Sequence, residues 1–373
     1  MRGTLLLNGN AESEEHLIQA AAPLLLGSRH ADPALAASRT VLLVTAGWAE
    51  HEHDEGHIKR ALNRIGLSSA WDAGYDRALV NLSLLAELND LCRRAPELSD
   101  AWGELRDAEQ TARRFYLEHN AHLLTLFRRA LHDAKQLDPD LTVPRLLSRE
   151  SPTGGPRPLA RHALAQQLRQ ALSTLEANDD HLFQLLAEIE RRAFDAAGAV
   201  YHPGWRATRE RLEQRILDAN TILLFGGRLD LLLDALRFFR LREPLAEALR
   251  RGAQIVAMSA GAMSLCERVI VYDDFAETPR DFQLYDRGLG LVRDLQLFPH
   301  CMERIQTDDP DNLAYLARRF RHQACIGLNQ RSFLFLELTP RRATSWGNDD
   351  AVYRFGPDGT KHAYRAGEAI PFG

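Results

Sequence analysis

Lysine is nearly missing from this 373-residue chain: Lys59, Lys135 and Lys361 are the only ones, and arginine supplies the rest of the 46 basic residues. So uniform a bias reads as a coding preference rather than a functional one. Against 51 Asp and Glu the formal net charge is -5, and no Arg-rich run is interleaved with aromatics in a recognisable module. Nucleic acid is therefore not an expected partner. Cysteine is scarce too: Cys92, Cys266, Cys301 and Cys325 are scattered without CxxC spacing, which argues against a disulfide framework and a zinc site. There is no apolar run of membrane-spanning length, and the first residues enter a strand pattern without a basic segment and long apolar core ahead of it. A cytoplasmic protein that does not contact membranes is expected. No GxxxxGK[ST] phosphate loop and no GxGxxG dinucleotide fingerprint follow the early strands, and no repeat or low-complexity tract is evident.

What is present centres on Ser259-Ala260-Gly261-Ala262, which follows the apolar run 255–258 and precedes a helix-like stretch from Met263 to Arg268. Small residues around a serine on a sharp strand-to-helix turn are the pattern of a nucleophile elbow, with the Ala260 N–H aimed where an oxyanion would form. An ordinary strand-to-helix turn also favours small residues, so the tetrad needs companions. Upstream, 221–225 reads as a buried strand ending in Gly226-Gly227, whose bare backbone offers a second oxyanion donor. Downstream, Gly288-Leu289-Gly290-Leu291-Val292 leads through 295–298 to Pro299-His300, a histidine at the end of another strand-like segment. Ends of parallel strands converge on one crevice.

The order of Gly-Gly, Ser-Ala-Gly-Ala, then Gly-Leu-Gly-Leu and Pro-His resembles the peptidase E and cyanophycinase family of serine peptidases, whose fold is similar to class I glutamine amidotransferases. The resemblance covers residues 1 to about 70 and about 205 to 373. Leu5-Leu6-Leu7-Asn8-Gly9-Asn10 and 41–47 look like the family's first two strands, and 351–355 with 366–368 like its C-terminal hairpin. It implies an α/β fold: a mostly parallel sheet flanked by helices, with 1–70 and 201–373 as a discontinuous core. By the same resemblance Ser259 is the nucleophile, His300 the general base, and Gly227 and Ala260 the oxyanion donors. Asp274, or its neighbour Asp273, stands near a carboxylate that matters in peptidase E, and Arg304 resembles an arginine that follows the histidine in cyanophycinases. Such an arginine would bind a substrate carboxylate through its fork. A glutaminase would carry cysteine at the elbow, and no metal or organic cofactor is implied.

Two departures from the family qualify this. Arg228 stands where the family has asparagine, so the substrate preference is expected to differ. Gly327-Leu328 runs into Asn329-Gln330 where the family places an acidic third triad member, and Gln330 carries no charge. An amide can orient the histidine but cannot stabilise its imidazolium. Either Gln330 does so in a slow enzyme, in which case Gln330→Glu should raise hydrolysis, or a neighbouring carboxylate such as Glu337 or Glu303 takes the place. Cys301, beside His300, is a rival thiol nucleophile, although alternation along an extended segment would pack it behind the histidine.

Between about Ala70 and Val200 strand-like runs give way to helical spacing, as in Leu79, Leu82, Leu85, Leu88 and Leu91-Cys92, then Phe115, Leu117, Leu123-Leu124, Phe127 and Leu131. A break at 148–158 separates this group from a second, through Leu164 to Phe194, which His202-Pro203-Gly204 closes before a helix over 206–218. An all-helical insertion over 71–200 is expected, serving as a stabilising hairpin or homodimer surface, or as a lid over Ser259. In His51-Glu52-His53-Asp54-Glu55-Gly56-His57, alternating imidazoles and carboxylates suggest a transition metal. However, HExxH spacing is lacking, and acidic residues suit a helix start. The favoured reading is a serine hydrolase that cleaves a short peptide or isopeptide, with acidic residues in the substrate, through an acyl-enzyme. The rival is a binding or regulatory protein with a vestigial centre that works through its helical insertion.

Overall fold

The computed structural model describes residues 3–11, 13–67, 79–148, 157–272, 282–347 and 352–371. Its scaffold is a set of short parallel strands, β1 (Thr4–Asn8), β2 (Val41–Val44), β3 (Leu79–Asn81), β4 (Thr221–Leu224) and β5 (Gln254–Met258), of which β1, β2, β4 and β5 are almost wholly buried and mostly apolar. Runs of this kind belong to a sheet covered on both faces. Leu5 and Leu7 of β1, with Ile222, Leu224, Ile255 and Ala257, face the helices Pro203–Leu217 and Leu229–Phe238. Leu6, Leu43, Leu223 and Val256 face the helices Glu14–Leu26 and Gly56–Arg64 on the other side. The period of two along each strand thus builds a three-layer α/β sandwich.

Further strands are β6 (Arg268–Tyr272), β7 (Phe282–Arg287), β8 (Leu295–Pro299), β9 (Ala324–Leu328), β10 (Ser332–Leu338), β11 (Arg341–Gly347), β12 (Val352–Phe355), β13 (Lys361–Tyr364) and β14 (Ala369–Ile370). Among the described residues the main sheet runs β14-β11-β10-β1-β5-β4-β2-β3, parallel from β1 to β3 and antiparallel on the β10 side. The mostly parallel α/β class expected from the sequence is the one observed. β8 belongs to a second sheet, β13-β12-β9-β8, and β6 pairs with β7 alone. His300 therefore approaches the elbow from a different sheet, not from a neighbouring strand of the main one.

Several local expectations are corrected. The helix after the elbow is Ala260–Leu265, and Arg268 opens β6, because Val269-Ile270 favours a strand over continuing the helix. The partner arm of the C-terminal hairpin is 361–364, with the turn made at Gly359 (φ 82°); residues 366–368 form the approach to β14. His202 opens the helix Pro203–Leu217 as its N-cap, with the Trp205 N–H donating to its Nδ1 at 3.3 Å. Leu79 lies in β3, which extends the main sheet, so the region after Ala70 is not all helical. Three residues are too few to show a period of two.

The helical part contains Leu84–Arg94, the short helix Val143–Leu146 and two long helices, Pro96–Leu137 and Pro158–Ala196, packed against each other. Arg161, Ala165, Leu168, Leu172, Leu175, Asp179, Leu182 and Leu186 are buried at alternating steps of four and three, a coiled-coil seam. Phe115, apolar but off this seam, is 62% exposed, and its neighbour Tyr116 is buried instead. Near the sheet the hairpin packs Trp102 edge-on to Phe238 at 4.9 Å between ring centroids. Farther along, charge fastens it. Arg319, on the helix Pro310–Arg319, donates to Asp179 Oδ2 from Nε at 2.9 Å and to Oδ1 from Nη2 at 2.7 Å, while Tyr116 Oη donates to Oδ1 at 2.6 Å. A second buried centre joins Arg113 and Arg237 to Asp286 Oδ2, each at 2.6 Å. Burial opposes ionisation of Asp286, but the two guanidiniums and the Arg287 N–H outweigh it and hold its carboxyl below the usual range. No described helix is long and apolar enough to cross a membrane.

Removing one partner of a buried pair strands the other charge, whereas replacing both with apolar groups does not. Asp179→Ala should lower unfolding stability by about 3–5 kcal/mol in urea titrations. Asp179→Leu combined with Arg319→Met should recover most of that loss.

Candidate active site

The site forms where β1, β2, β4 and β5 end together. Ser259 follows β5 with φ 50° and ψ -115°, a conformation costly for a residue with a Cβ. Its N–H donates to Asn8 O of β1 at 2.8 Å, and its carbonyl accepts from Met263 N at 3.0 Å, so both neighbours hold the elbow. Glycine is required around it. A Cβ on Gly261 would lie 2.3 Å from Leu224 O, and one on Gly226 would lie 2.9 Å from Met258 O. Gly227, at φ 111°, would place a Cβ 2.3 Å from Gly47 O, and the next N–H, of Arg228, donates to that same oxygen at 2.7 Å. The loops after β2, β4 and β5 therefore meet backbone to backbone.

Ala260 is the first residue of its helix, so its N–H belongs to the turn that has no intrahelical acceptor. Gly227 stands two residues before the helix Leu229–Phe238. Both expected oxyanion donors therefore lie at helix starts beside the serine, where backbone N–H groups and the helix dipole favour negative charge.

His300 follows β8 in a left-handed conformation (φ 52°, ψ 38°) and caps the short helix Cys301–Arg304. That turn points the ring at the elbow: Ser259 Oγ lies 3.3 Å from Nε2. On the other side of the ring Nδ1 is 3.4 Å from Glu303 Oε2, and Gln330 Nε2 lies 3.5 Å from Glu303 Oε1. A carboxylate at Nδ1 selects the Nδ1–H tautomer and leaves Nε2 to accept from the serine hydroxyl. Of the carboxylates weighed from sequence, Glu303 is the one at the ring. Glu337 pairs with Arg29 at 3.2 Å and is in register with Thr4, at the opposite end of β1 from Asn8. Gln330 sits beyond Glu303, so its place is one step removed from the one the family pattern suggests. Asn329 accepts from Met302 N at 2.8 Å through Oδ1 and so ties the β9–β10 connection to the helix that carries Glu303.

The other expected residues fall at different distances from this centre. Arg304 is half-buried on the same short helix, its N–H donating to His300 O at 3.0 Å. Arg228 is exposed and forked onto Asp230, with Nε to Oδ1 at 2.9 Å and Nη2 to Oδ2 at 2.5 Å. Burial opposes ionisation of Asp230, but Arg228 prevails and lowers it. Asp273 and Asp274 lie outside the described residues.

Cys301 is fully buried against Gly327, and burial pushes its thiol up to about 12. It is packed behind the histidine as a small apolar group, not presented as a nucleophile. In the histidine-rich segment, His51 Nδ1 pairs with Asp54 Oδ2 at 2.8 Å, His57 stacks on Trp48, and Glu52 turns inward to accept from Leu85 N at 2.9 Å and Ala86 N at 2.8 Å. Glu52 thus caps the start of Leu84–Arg94 from a distance. Burial is the largest influence on its carboxyl and raises it, despite those two donors. Among the described residues no group of three or more His, Cys, Asp or Glu side chains is gathered to hold a metal.

Fold and site together define a serine-centred, peptidase-like hydrolase on an α/β scaffold. Residues 203–339 match the sequence model of peptidase family S51. The match takes in Gly227, Ser259, His300, Glu303 and Gln330 and leaves out the two long helices. Among solved structures, a peptidase from an acI-B1 Actinobacterium is similar over 100% of this chain and 98% of that one, at 14% identity and a TM-score of 0.43. No curated protein matches the chain.

The burial of Cys301 has a direct test. Under native conditions at mildly alkaline pH, an alkylating reagent should leave Cys301 unmodified in peptide mass mapping, and should modify it once the chain is unfolded.

Proposed function

We propose that the protein is a serine hydrolase that cleaves a short peptide or isopeptide amide through an acyl-enzyme, with Ser259, His300 and Glu303 as its triad. The 3.3 Å approach of Ser259 Oγ to His300 Nε2 carries this reading. Ser259 Oγ adds to the substrate carbonyl carbon as its proton passes to Nε2, and the oxygen takes up negative charge facing the N–H groups of Gly227 and Ala260. The C–N bond then breaks as the imidazolium returns the proton to the leaving nitrogen. Water, deprotonated by the same imidazole, releases the acid and restores the serine.

Glu303 holds the reactive tautomer and stabilises the imidazolium, while Gln330 steadies Glu303 from its other oxygen. The exposed carboxylate is expected to contribute less than a buried one would, because water screens its field. Arg304, one helical turn past His300, is suited to a carboxylate on the substrate, which favours acidic peptides. The long helices flank this centre in sequence without supplying any residue of the triad.

The test is hydrolysis of α-aspartyl, β-aspartyl and non-acidic dipeptides. Ser259→Ala and His300→Ala should each abolish turnover, and activity surviving Ser259→Ala would overturn the reading. Glu303→Gln should lower kcat by about 10²-fold or more, toward the loss seen when a triad carboxylate becomes an amide. Gln330→Glu should leave hydrolysis unchanged or reduced, because it sets a second carboxylate against Glu303. A gain with Gln330→Glu would instead assign the orienting role to position 330.

A further inference from the structure

A cleft of about 690 Å³, within the range of small-molecule sites, lies where the end of the helix Pro158–Ala196 meets the helix Pro203–Leu217, the residues after Leu229–Phe238, and the turn after β7. It shares no residue with the Ser259 centre. Although the chain is acidic overall, the walls carry seven arginines and three glutamates.

Most of these charges are accounted for. Arg237 is held by Asp286, Arg287 by Glu190 at 2.6 Å, Arg209 by Glu213 at 2.6 Å, and Arg191 by Asp195 at 3.2 Å. Arg242 donates to Leu289 O at 2.7 Å and faces Glu243 at 3.4 Å. Arg206 and Arg240 differ: among the described residues neither has a carboxylate within ion-pair distance, and the Arg240 guanidinium carbon lies over the Phe194 ring, 4.5 Å from its centroid. Glu210 stands one helical turn from Arg206 in the same wall without pairing to it. Trp205, whose Nε1–H is used by Phe238 O at 3.0 Å, and Leu289 and Val200 add apolar surface between the guanidiniums.

We propose that this cleft binds a small phosphorylated molecule carrying at least two phosphoryl groups. Arg206 and Arg240, the two without a carboxylate partner, stand on separate segments lining one volume, and a phosphorylated ligand can span both where a single carboxylate meets one. A phosphoryl chain offers several oxygens to planar guanidinium forks over the required span. The apolar strip between the arginines suits the body of a nucleotide.

Titration calorimetry with ATP and with inorganic triphosphate on the full-length protein tests this. One saturable site is expected, weakening as ionic strength rises. Arg206→Glu, an exposed change that leaves the fold intact, should weaken it by about tenfold or more, about 1.4 kcal/mol, and Arg240→Gln should weaken it as well. Arg304→Ala, at the Ser259 centre, should leave it unchanged. Tighter binding of ATP would assign part of the recognition to the nucleoside, and equal binding would assign it to the phosphates alone. Absence of binding by both probes at low ionic strength, binding unaffected by Arg206→Glu, or loss with Arg304→Ala would overturn the proposal. Hydrolysis by Ser259 is not involved in this measurement, so the two readings stand or fall separately.

Discussion

The structure depends on three backbones meeting without side chains between them. Gly47, Gly226-Gly227 and the Ser259–Gly261 elbow end adjacent parallel strands and touch carbonyl to Cα, at distances that no Cβ could share. That contact explains how a strained serine persists at φ 50°. The Asn8 carbonyl holds its N–H from one side, and the packed glycines leave no volume into which the turn could relax. The same close approach brings the starts of two helices beside the hydroxyl. Scaffold rigidity and the placing of two helix starts beside the hydroxyl therefore have one origin.

His300 arrives from a second sheet, and its position is only as firm as the contact between the sheets. Within the second sheet Asn329 holds the end of β9 to the helix after His300 by accepting from Met302 N, within the main sheet Asn8 holds β10 to β1 by donating from Nδ2 to Ser332 O at 2.8 Å, and the β9–β10 connection joins the two. The connection between β9 and β10, Asn329-Gln330-Arg331, therefore fixes how the two sheets meet. It couples the strand beside His300 to the strand beside the elbow.

Much of this was legible in the sequence. Gly226-Gly227, Ser259-Ala260-Gly261-Ala262 and Pro299-His300 mark strand ends, and small residues there have few other uses. Glu303 was harder to place, because its role requires His300 to adopt a left-handed turn that folds the chain back by one helical turn. A residue three positions on faces the ring only then, and nothing in the tripeptide after His300 announces that turn. Gln330 stands out in sequence by its position in a pattern, while its distance from the imidazole depends on how the chain packs around Glu303. β3 leaves no signal in the sequence, because three residues show no period. The second arm of the C-terminal hairpin could have been found from Asp358-Gly359, a strong turn signal. Tyr116 and Asp179 at seam positions were opaque for another reason. Each is polar, and only the arrival of Arg319 from a distant helix makes their burial affordable.

The long hairpin illustrates how an arginine-rich composition becomes structural. Its seam is apolar enough to pair its own two helices, but apolar packing alone would leave it free to slide on the core. Charged pairs break that degeneracy because a slip of one turn would strand Arg319 and Asp286 at once. The apolar foot at Trp102 and Phe238 supplies attraction without register, and the buried ion pairs supply register at a desolvation cost. The same fastening places the end of one long helix against Trp205 and Arg240, and so forms the basic cleft. The cleft's shape is therefore a consequence of how the hairpin is docked, and a change that loosens Asp286 should reach the cleft before it reaches the serine.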